Sequence, residues 1–302
     1  MTVAGADILL LGGTGQVGSE LLPVLQQRDR VLAPTRAELD LTNLAAVREW
    51  IERCRPRMIV NAAALTAVDR AEAEPVLAFA LNEHLPRVLA EECARLDALL
   101  VHYSTDYVFG GESSVPYREN DPAAPVNVYG MSKLAGESAI ADVGGRHLIF
   151  RTSWVYGSRA NNFVSNILRL IREKGELKVV IDQRSRPTWS RRLAEATGAV
   201  LEALRAGNGW RTPSSLSGTY HLAGGGEASR YEFANAVADE RRRAGLPVLA
   251  GIRAVTSDEF AAPARRPRYS VLDTRRIGEA FNVSLPDWRE DLPVVMRASA
   301  AW

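Results

Sequence analysis

At 302 residues the chain can bury a large core, and its 37 Lys and Arg against 36 Asp and Glu leave a net charge of +1. That balance, with no basic tract, argues against binding along a nucleic-acid backbone. Cys54 and Cys93 have no His or Cys partner at ligand spacing, which argues against a zinc site and a disulfide framework. No apolar run is long enough to span a bilayer, and Ile8 to Leu11 is too short for a signal-peptide core, so the expectation is a cytoplasmic protein with no membrane partner.

The first apolar run, Asp7 to Leu11, ends in Gly12-Gly13-Thr14-Gly15-Gln16-Val17-Gly18, and helical apolar spacing follows from Ser19 to Gln27. Strand, glycine turn and helix in that order suit a dinucleotide. One glycine makes the turn, one admits the pyrophosphate, and one packs the helix onto the strand, whose free N–H groups then face the anion. A second strand, Arg30 to Ala33, leads to Pro34-Thr35-Arg36 with no carboxylate at its end, so Arg36 is available for a 2′-phosphate. This favours NADPH, with NADH also admitted; Arg36 as a solvated loop charge remains an alternative. Asp40, followed by Leu41, reads either as an adenine-edge contact or as a cap.

A helix from Leu44 to Cys54 and a third strand, Met58 to Val60, run into Asn61 and the small residues Ala62, Ala63 and Ala64, then Leu65 and Thr66. Small side chains there permit close approach by a flat cofactor or by a crossing helix. The charges Asp69, Arg70, Glu72 and Glu74 read as solvated, and a helix is expected from Pro75 to Leu96, where the lone His84 is structural. A fourth strand, Ala98 to Val101, delivers the hydroxyl-rich turn Ser104-Thr105-Asp106-Tyr107 at its carboxyl end, where open α/β sheets bind ligands.

After a loop from Gly110 to Asn127, long enough to suggest function, Tyr129 and Lys133 fall four apart on a helix and share one face. An ammonium beside a phenol is expected to depress the phenol's pKa toward the range of a general acid. A fifth strand, His147 to Phe150, ends near Trp154. Alternating strands and helices up to this point specify a parallel, doubly wound sheet. The pattern loosens after Asn161, and Ala264-Arg265-Arg266-Pro267 offers arginines for a pyrophosphate or for the surface. The expected division is a dinucleotide-binding domain over 1–160, to which later segments return, and a mainly substrate-binding lobe over 161–302.

Together, the segments from Gly12 to Gly18, Asn61 to Asp69, His102 to Phe109, Tyr129 to Glu137, Phe150 to Tyr156 and Asn161 to Phe163 resemble the dTDP-4-dehydrorhamnose reductases, extended short-chain dehydrogenase/reductases. The resemblance continues through Asp182-Gln183, Tyr220 to Leu222, Pro263 to Pro267 and Leu285 to Trp288. It implies an α/β fold, a Rossmann-type doubly wound sheet with a smaller mixed α/β lobe toward the carboxyl end. It implies NADPH-dependent reduction of the C4 keto group of dTDP-4-dehydro-6-deoxy-L-mannose to dTDP-L-rhamnose. Tyr129 is then the proton donor, Lys133 holds the nicotinamide ribose, and Thr105 hydrogen-bonds the keto oxygen. Gly12, Thr14, Gly15, Gln16, Val17, Arg36, Asp40, Leu41, Ala62, Ala63, Ala64, Leu65, Thr66 and Tyr103 line the cofactor with Tyr129 and Lys133. Thr105, Asp106, Trp154, Asn162 and Arg266 meet the sugar nucleotide. Some members hold Mg²⁺ between subunits with carboxylates. Trp189 to Arg192 and Met296 to Ser299 have Arg or small residues in those places, so no metal is expected, and the chain is read as a monomer or homodimer.

Two other readings compete. A nucleotide-sugar epimerase or dehydratase with bound NAD shares the glycine loop and Tyr–Lys pair, but dehydratases need an added acid or base after the Thr, where this chain has Asp106 and then the aromatic Tyr107. A non-catalytic NADP-binding regulatory subunit has no use for a tuned phenol.

Overall fold

The computed structural model describes residues 6–159, 162–173, 175–206, 209–210, 213–249 and 251–298. Asn161 and Ser299, which entered the sequence reading, lie outside the described residues. The strands are β1 (Ile8–Leu11), β2 (Val31–Leu32), β3 (Met58–Asn61), β4 (Leu99–Thr105), β5 (His147–Thr152), β6 (Glu176–Val180), β7 (Gly218–His221) and β8 (Gly251–Val255), with short bridging pairs besides. The helices of the first half are α1 (Gly18–Leu25), α2 (Leu44–Cys54), α3 (Val68–Ala73), α4 (Pro75–Phe79), α5 (Leu85–Leu96) and α6 (Val128–Val143). Those of the second half are α7 (Phe163–Glu173), α8 (Ser190–Ala203), α9 (Arg230–Arg243), α10 (Ser257–Phe260), α11 (Arg275–Phe281) and α12 (Trp288–Ala298).

Six strands form one sheet in the order β7-β5-β4-β3-β1-β2, every pair parallel. The uninterrupted apolar runs of β1, β3 and β4 are buried, as a sheet covered on both faces requires. One face carries Leu21 and Leu25 of α1, Leu193 and Val200 of α8 and Ile277 of α11; the other carries Val47 and Ile51 of α2, Leu89 of α5 and Ile140 of α6. The strand order reverses between β1 and β3, and the carboxyl ends of those two strands bound a crevice where such sheets take ligands. A separate core, with Phe233 of α9 and Trp288 of α12 at 5.2 Å between ring centroids, joins α7, β6, α9 and α12, and β6 pairs parallel with β8.

The sequence pattern predicts five strands; the sixth, β7, comes from a late segment where the pattern loosens, and the other differences are local. β2 shortens to two residues, while β4 runs on to Thr105 because its pairing with β5 continues as far as Thr152. Ser104 and Thr105 therefore belong to the strand, and the turn is the 3₁₀ segment Asp106–Val108. The helix expected from Pro75 to Leu96 is divided by a π-turn, Ala80–His84. Pro86 has no N–H to offer the Asn82 carbonyl, and the wider turn carries Asn82 into the interior.

Helix α6 is tied to β5 by a buried ion pair. Arg151 Nε donates to Glu137 at 3.0 and 3.1 Å, Nη2 donates to Glu137 Oε2 at 2.7 Å, and Nη1 donates to the Glu119 carbonyl at 3.2 Å. Both side chains are under a tenth exposed. Such a pair adds little over a well-packed apolar pair, but losing one partner strands the other charge away from water. Glu137→Ala is expected to lower the unfolding free energy by about 3–5 kcal/mol in a denaturant titration; a loss below about 1 kcal/mol would mean that Arg151 finds water or another acceptor.

Candidate active site

The glycine turn closes tightly on the end of β3. Gly12 has φ +76°, and a Cβ there would come within 2.7 Å of the Ala62 carbonyl carbon and Ala63 nitrogen; one on Gly18 would come within 2.1 Å of the Gly12 oxygen. Any larger side chain would force the turn off β3 or α1 off the turn. Thr14 and Gly15 are exposed at the tip, Gln16 and Val17 half-buried behind it, in front of the amino-terminal end of α1. A cradle without side chains at the positive end of a helix fits a dinucleotide pyrophosphate. Ala62, Ala63 and Ala64 are half-buried along one wall, and Thr66 is exposed. Leu65 is buried, with Asn82 bonding both its N–H (2.9 Å) and its carbonyl (3.1 Å).

Arg36 is exposed beyond β2. Asp40 is exposed too, and its carboxylate accepts from the Thr42 N–H (3.0 Å) and hydroxyl (2.8 Å), which with Arg36 nearby hold it below the usual carboxylate range. Asp40 does not take the capping place: α2 is capped by Asn43, whose Oδ1 accepts from the Ala46 N–H at 3.1 Å, and Asp40 Oδ1 is engaged in its own turn with Thr42. Leu41 is half-buried against the α2 side of the core.

Tyr129 and Lys133 share the inner face of α6. The helix is capped by Asn127, which accepts from the Gly130 N–H at 2.8 Å and donates to the Arg265 carbonyl at 2.8 Å, while Glu72 accepts from the Val128 N–H at 2.9 Å. A Cβ on Gly130 would lie 2.2 Å from the Tyr107 carbonyl oxygen, so glycine lets the first turn of α6 seat directly on the 3₁₀ segment. The Tyr129 phenol is thereby brought beside the Thr105 side chain, and its ring meets that of Tyr107 edge-on at 5.8 Å.

The expected depression of the Tyr129 pKa by Lys133 is not what the structure holds. Burial raises the phenol above its ordinary value, against the pull of the Thr105 hydrogen bond, with Asp106 and Tyr107 adding to the rise. Lys133 points past it into β4: Nζ donates to the Tyr103 carbonyl at 2.6 Å and lies 3.1 Å from His102 Nε2. Burial lowers the lysine to about 8, with Glu137 opposing. Tyr103 serves here through its backbone. Strand alternation sends its side chain to the opposite face, where its hydroxyl meets Thr197 of α8 at 2.6 Å, so its expected place beside the cofactor is not taken by its ring.

Just past β4, Asp106 is 2% exposed and fully engaged: Ser185 and Ser270 donate to Oδ2 at 2.8 and 2.5 Å, and Thr105 donates to Oδ1 at 3.2 Å. Burial still raises it to about 6. Asn162 locks its own loop, donating to the Gly157 and Arg159 carbonyls (2.9 and 2.5 Å) and accepting from Ser165 N–H (3.2 Å), so its amide is spent on capping α7 rather than turned to a ligand. Trp154 sits at φ +41°, a conformation rare for a bulky side chain, with the Arg230 guanidinium 4.1 Å from its ring centroid. Arg266 and the Ala264 N–H donate to Asp69 at 2.8 and 3.1 Å, so Asp69, exposed as expected, also clamps α3 to the carboxyl-terminal segment.

A cleft of about 1640 Å³ opens between Tyr107 and Gly110 to Glu112 on one side and α7, β6 and the 263–268 segment on the other. Arg230, Arg265, Arg266, Arg268 and Lys178 line it, and Tyr107 stands between it and Tyr129. The Gly110 to Asn127 loop does two things. Its first residues line this cleft, while Tyr117 zips it to the later chain through bonds to Val271 (2.8 Å) and Asp273 (2.7 Å).

Sequence reading missed the residues behind the site: Asn61, Asn82, His102, Arg230, and the two serines on Asp106. A buried Asn or His within a strand or helix carries no periodic signal, and Ser185, Arg230 and Ser270 come from segments distant in sequence.

The chain matches the family model described as the RmlD substrate binding domain over residues 6–300. It is 43% identical over 295 residues, 96% of this chain and 98% of the relative, to a dTDP-4-dehydrorhamnose reductase of Burkholderia thailandensis, and 42% identical over 289 residues to the Escherichia coli one, covering 94% of each. Among solved structures it is similar to a dTDP-4-dehydrorhamnose reductase from Bacillus anthracis in complex with NADP (TM-score 0.87, 33% identity, 98% of this chain and 100% of that one). The Thermus thermophilus UDP-glucose 4-epimerase complex with NAD shares the fold at 20% identity and TM-score 0.78, covering 96% of this chain and 98% of that one. On a family match across nearly its whole length and identities above 40%, the chain belongs to the dTDP-4-dehydrorhamnose reductases.

Proposed function

We propose that this chain reduces the C4 keto group of dTDP-4-dehydro-6-deoxy-L-mannose with NADPH, giving dTDP-L-rhamnose, the last step of nucleotide-rhamnose synthesis. The observation that carries the reading is the convergence of Tyr129, Thr105 and Lys133 at the carboxyl end of β4. NADPH supplies the hydride. Tyr129 gives its phenolic proton to the carbonyl oxygen as charge develops there, and its raised pKa keeps that proton in place at neutral pH. Thr105 donates to the same oxygen and orients the phenol. Lys133, lowered to about 8, is mainly protonated at neutral pH and holds the nicotinamide ribose.

Gly12, Thr14, Gly15, Gln16, Val17 and Ala62 to Thr66 take the cofactor, and Arg36, at the end of the second strand, takes its 2′-phosphate. The sugar nucleotide occupies the cleft beyond Tyr107, where the basic lining suits a pyrophosphate and Arg230 connects it to Trp154 for the sugar, with residues 161–302 as the main substrate-binding lobe. The enzyme acts in the cytoplasm as a monomer or homodimer, on a small nucleotide sugar rather than on nucleic acid or a membrane. No helix among the described residues is long and apolar enough to cross a membrane.

The direct test is loss of NADPH absorbance with the dTDP-4-keto sugar, repeated with NADH and with a UDP analogue; no NADPH consumption would end the proposal. Tyr129→Phe is expected to lower kcat by at least about 100-fold while NADPH binding persists, and unchanged kcat would remove the phenol from catalysis. Replacing Lys133 by Met should weaken both turnover and cofactor affinity; an effect on neither places it outside the site. For Arg36→Ala the preference for NADPH over NADH should fall, and an unaltered ratio returns Arg36 to the surface.

A further inference from the structure

Behind Lys133 lies a line of polar side chains that the reaction above does not use. His102 Nε2 is 3.1 Å from Lys133 Nζ, and His102 Nδ1 is 3.1 Å from Asn61 Nδ2. Asn61 Oδ1 accepts from the Ala63 N–H at 3.1 Å. Asn61 and His102 are fully buried, so bulk water does not reach them and each must find its partners inside the protein.

Proton counting sets these groups against one another. A neutral imidazole has one N–H and one lone pair, an ammonium only donates, and a carboxamide nitrogen only donates. With Asn61 Nδ2 donating to Nδ1, the imidazole proton is on Nε2, and the facing lysine must accept, as a neutral amine can. With Lys133 protonated, Nε2 must accept and Nδ1 carries the proton. Asn61 then has to present its oxygen to Nδ1, which takes that oxygen away from the Ala63 N–H.

We infer that Asn61 and His102 form a positioning chain in which His102 exchanges tautomer, and Asn61 turns over, whenever Lys133 gains or loses its proton. The chain ends at a backbone N–H whose nitrogen adjoins Gly12 at the glycine turn. In the ammonium form, that N–H is released from Asn61 for a ligand in the crevice. The charge on the lysine and the hydrogen-bonding state of the β3 end are thus linked across three side chains.

The surrounding groups allow the exchange. Glu137, on the same helix and paired with Arg151 of β5, favours the ammonium, while burial lowers Lys133 to about 8. Burial first, and then Lys133, hold His102 well below its ordinary value, so the ring stays neutral while the lysine titrates. Tyr129 of α6 and Cys93 of α5 are both raised by burial and keep their protons.

The catalytic role of Lys133 belongs to the proposed function, but the tautomer can be read without turnover. Ring nitrogen–proton correlation NMR on the full chain, with His102→Gln assigning its signal among the four histidines, is expected to show Nδ1–H below and Nε2–H above a midpoint near the lysine's. The alkaline limb of kcat/KM should share that midpoint. One tautomer throughout the range, or a charged ring, overturns the inference. A tautomer exchange with no matching limb leaves it standing and removes Lys133 from the chemistry. In Asn61→Asp a carboxylate accepts from Nδ1–H, which should hold that tautomer to higher pH and raise the midpoint by about one pH unit or more. An unmoved midpoint in the folded variant also overturns it; if that variant does not fold, the wild-type titration decides alone.

Discussion

An amine with almost no exposure to water sits between α6 and the main sheet, and the active site is arranged by what that burial demands. Lys133 is 1% exposed, so its donors must find partners inside the protein. The Tyr103 carbonyl supplies one, and His102, itself bonded to Asn61, meets the amine on a second side with donor and acceptor set by its tautomer. Glu137 lies one turn further along α6 and is itself held by Arg151. Satisfying one lysine therefore draws β3, β4, β5 and α6 into a single register. Tyr129, one turn before Lys133, takes its position against Thr105 from that register.

The side of the site around Asp106 is joined in a different way. Asp106, just past the end of β4, gathers Ser185 and Ser270 from segments about 80 and 160 residues onward, as their separations of 79 and 164 show. Asp69 holds Arg266, and Asn127 holds the Arg265 carbonyl. These bonds fasten the basic segment lining the cleft to the end of the sheet that carries the phenol. A network of this kind rigidifies when all its members are satisfied.

Much of this was legible in the chain. Apolar runs marked five of the six strands of the sheet, all but β7, and the spacing of Tyr129 and Lys133 marked one face of α6. The glycine turn could be read with its mechanism, since Gly12 and Gly18 occupy positions where a Cβ has no room. What could not be read depended on partners far away. Tyr103 looked like a cofactor contact until Thr197 claimed its hydroxyl, and Asn162 looked like a ligand for the sugar until its own loop used its amide. Charges at Asp69 and Glu72 looked no more than solvated because nothing local reveals Arg266 or the start of α6. The pKa of Tyr129 was misjudged for a related reason: helical spacing tells which face a side chain shares, but not how far burial outweighs a neighbouring charge.

The sheet's last strand, β7, is supplied by residues 218–221 and closes against β5, about 70 residues earlier. Until it arrives, β5 is an edge, with unpaired N–H and carbonyl groups along an apolar strand that can recruit another chain. The nucleotide crevice between β1 and β3 needs none of these late residues, yet the sheet that frames it stays open at one side for most of synthesis. For a chain emerging from the ribosome, the hazardous interval ends at His221, well after Tyr129 and Lys133 have been made.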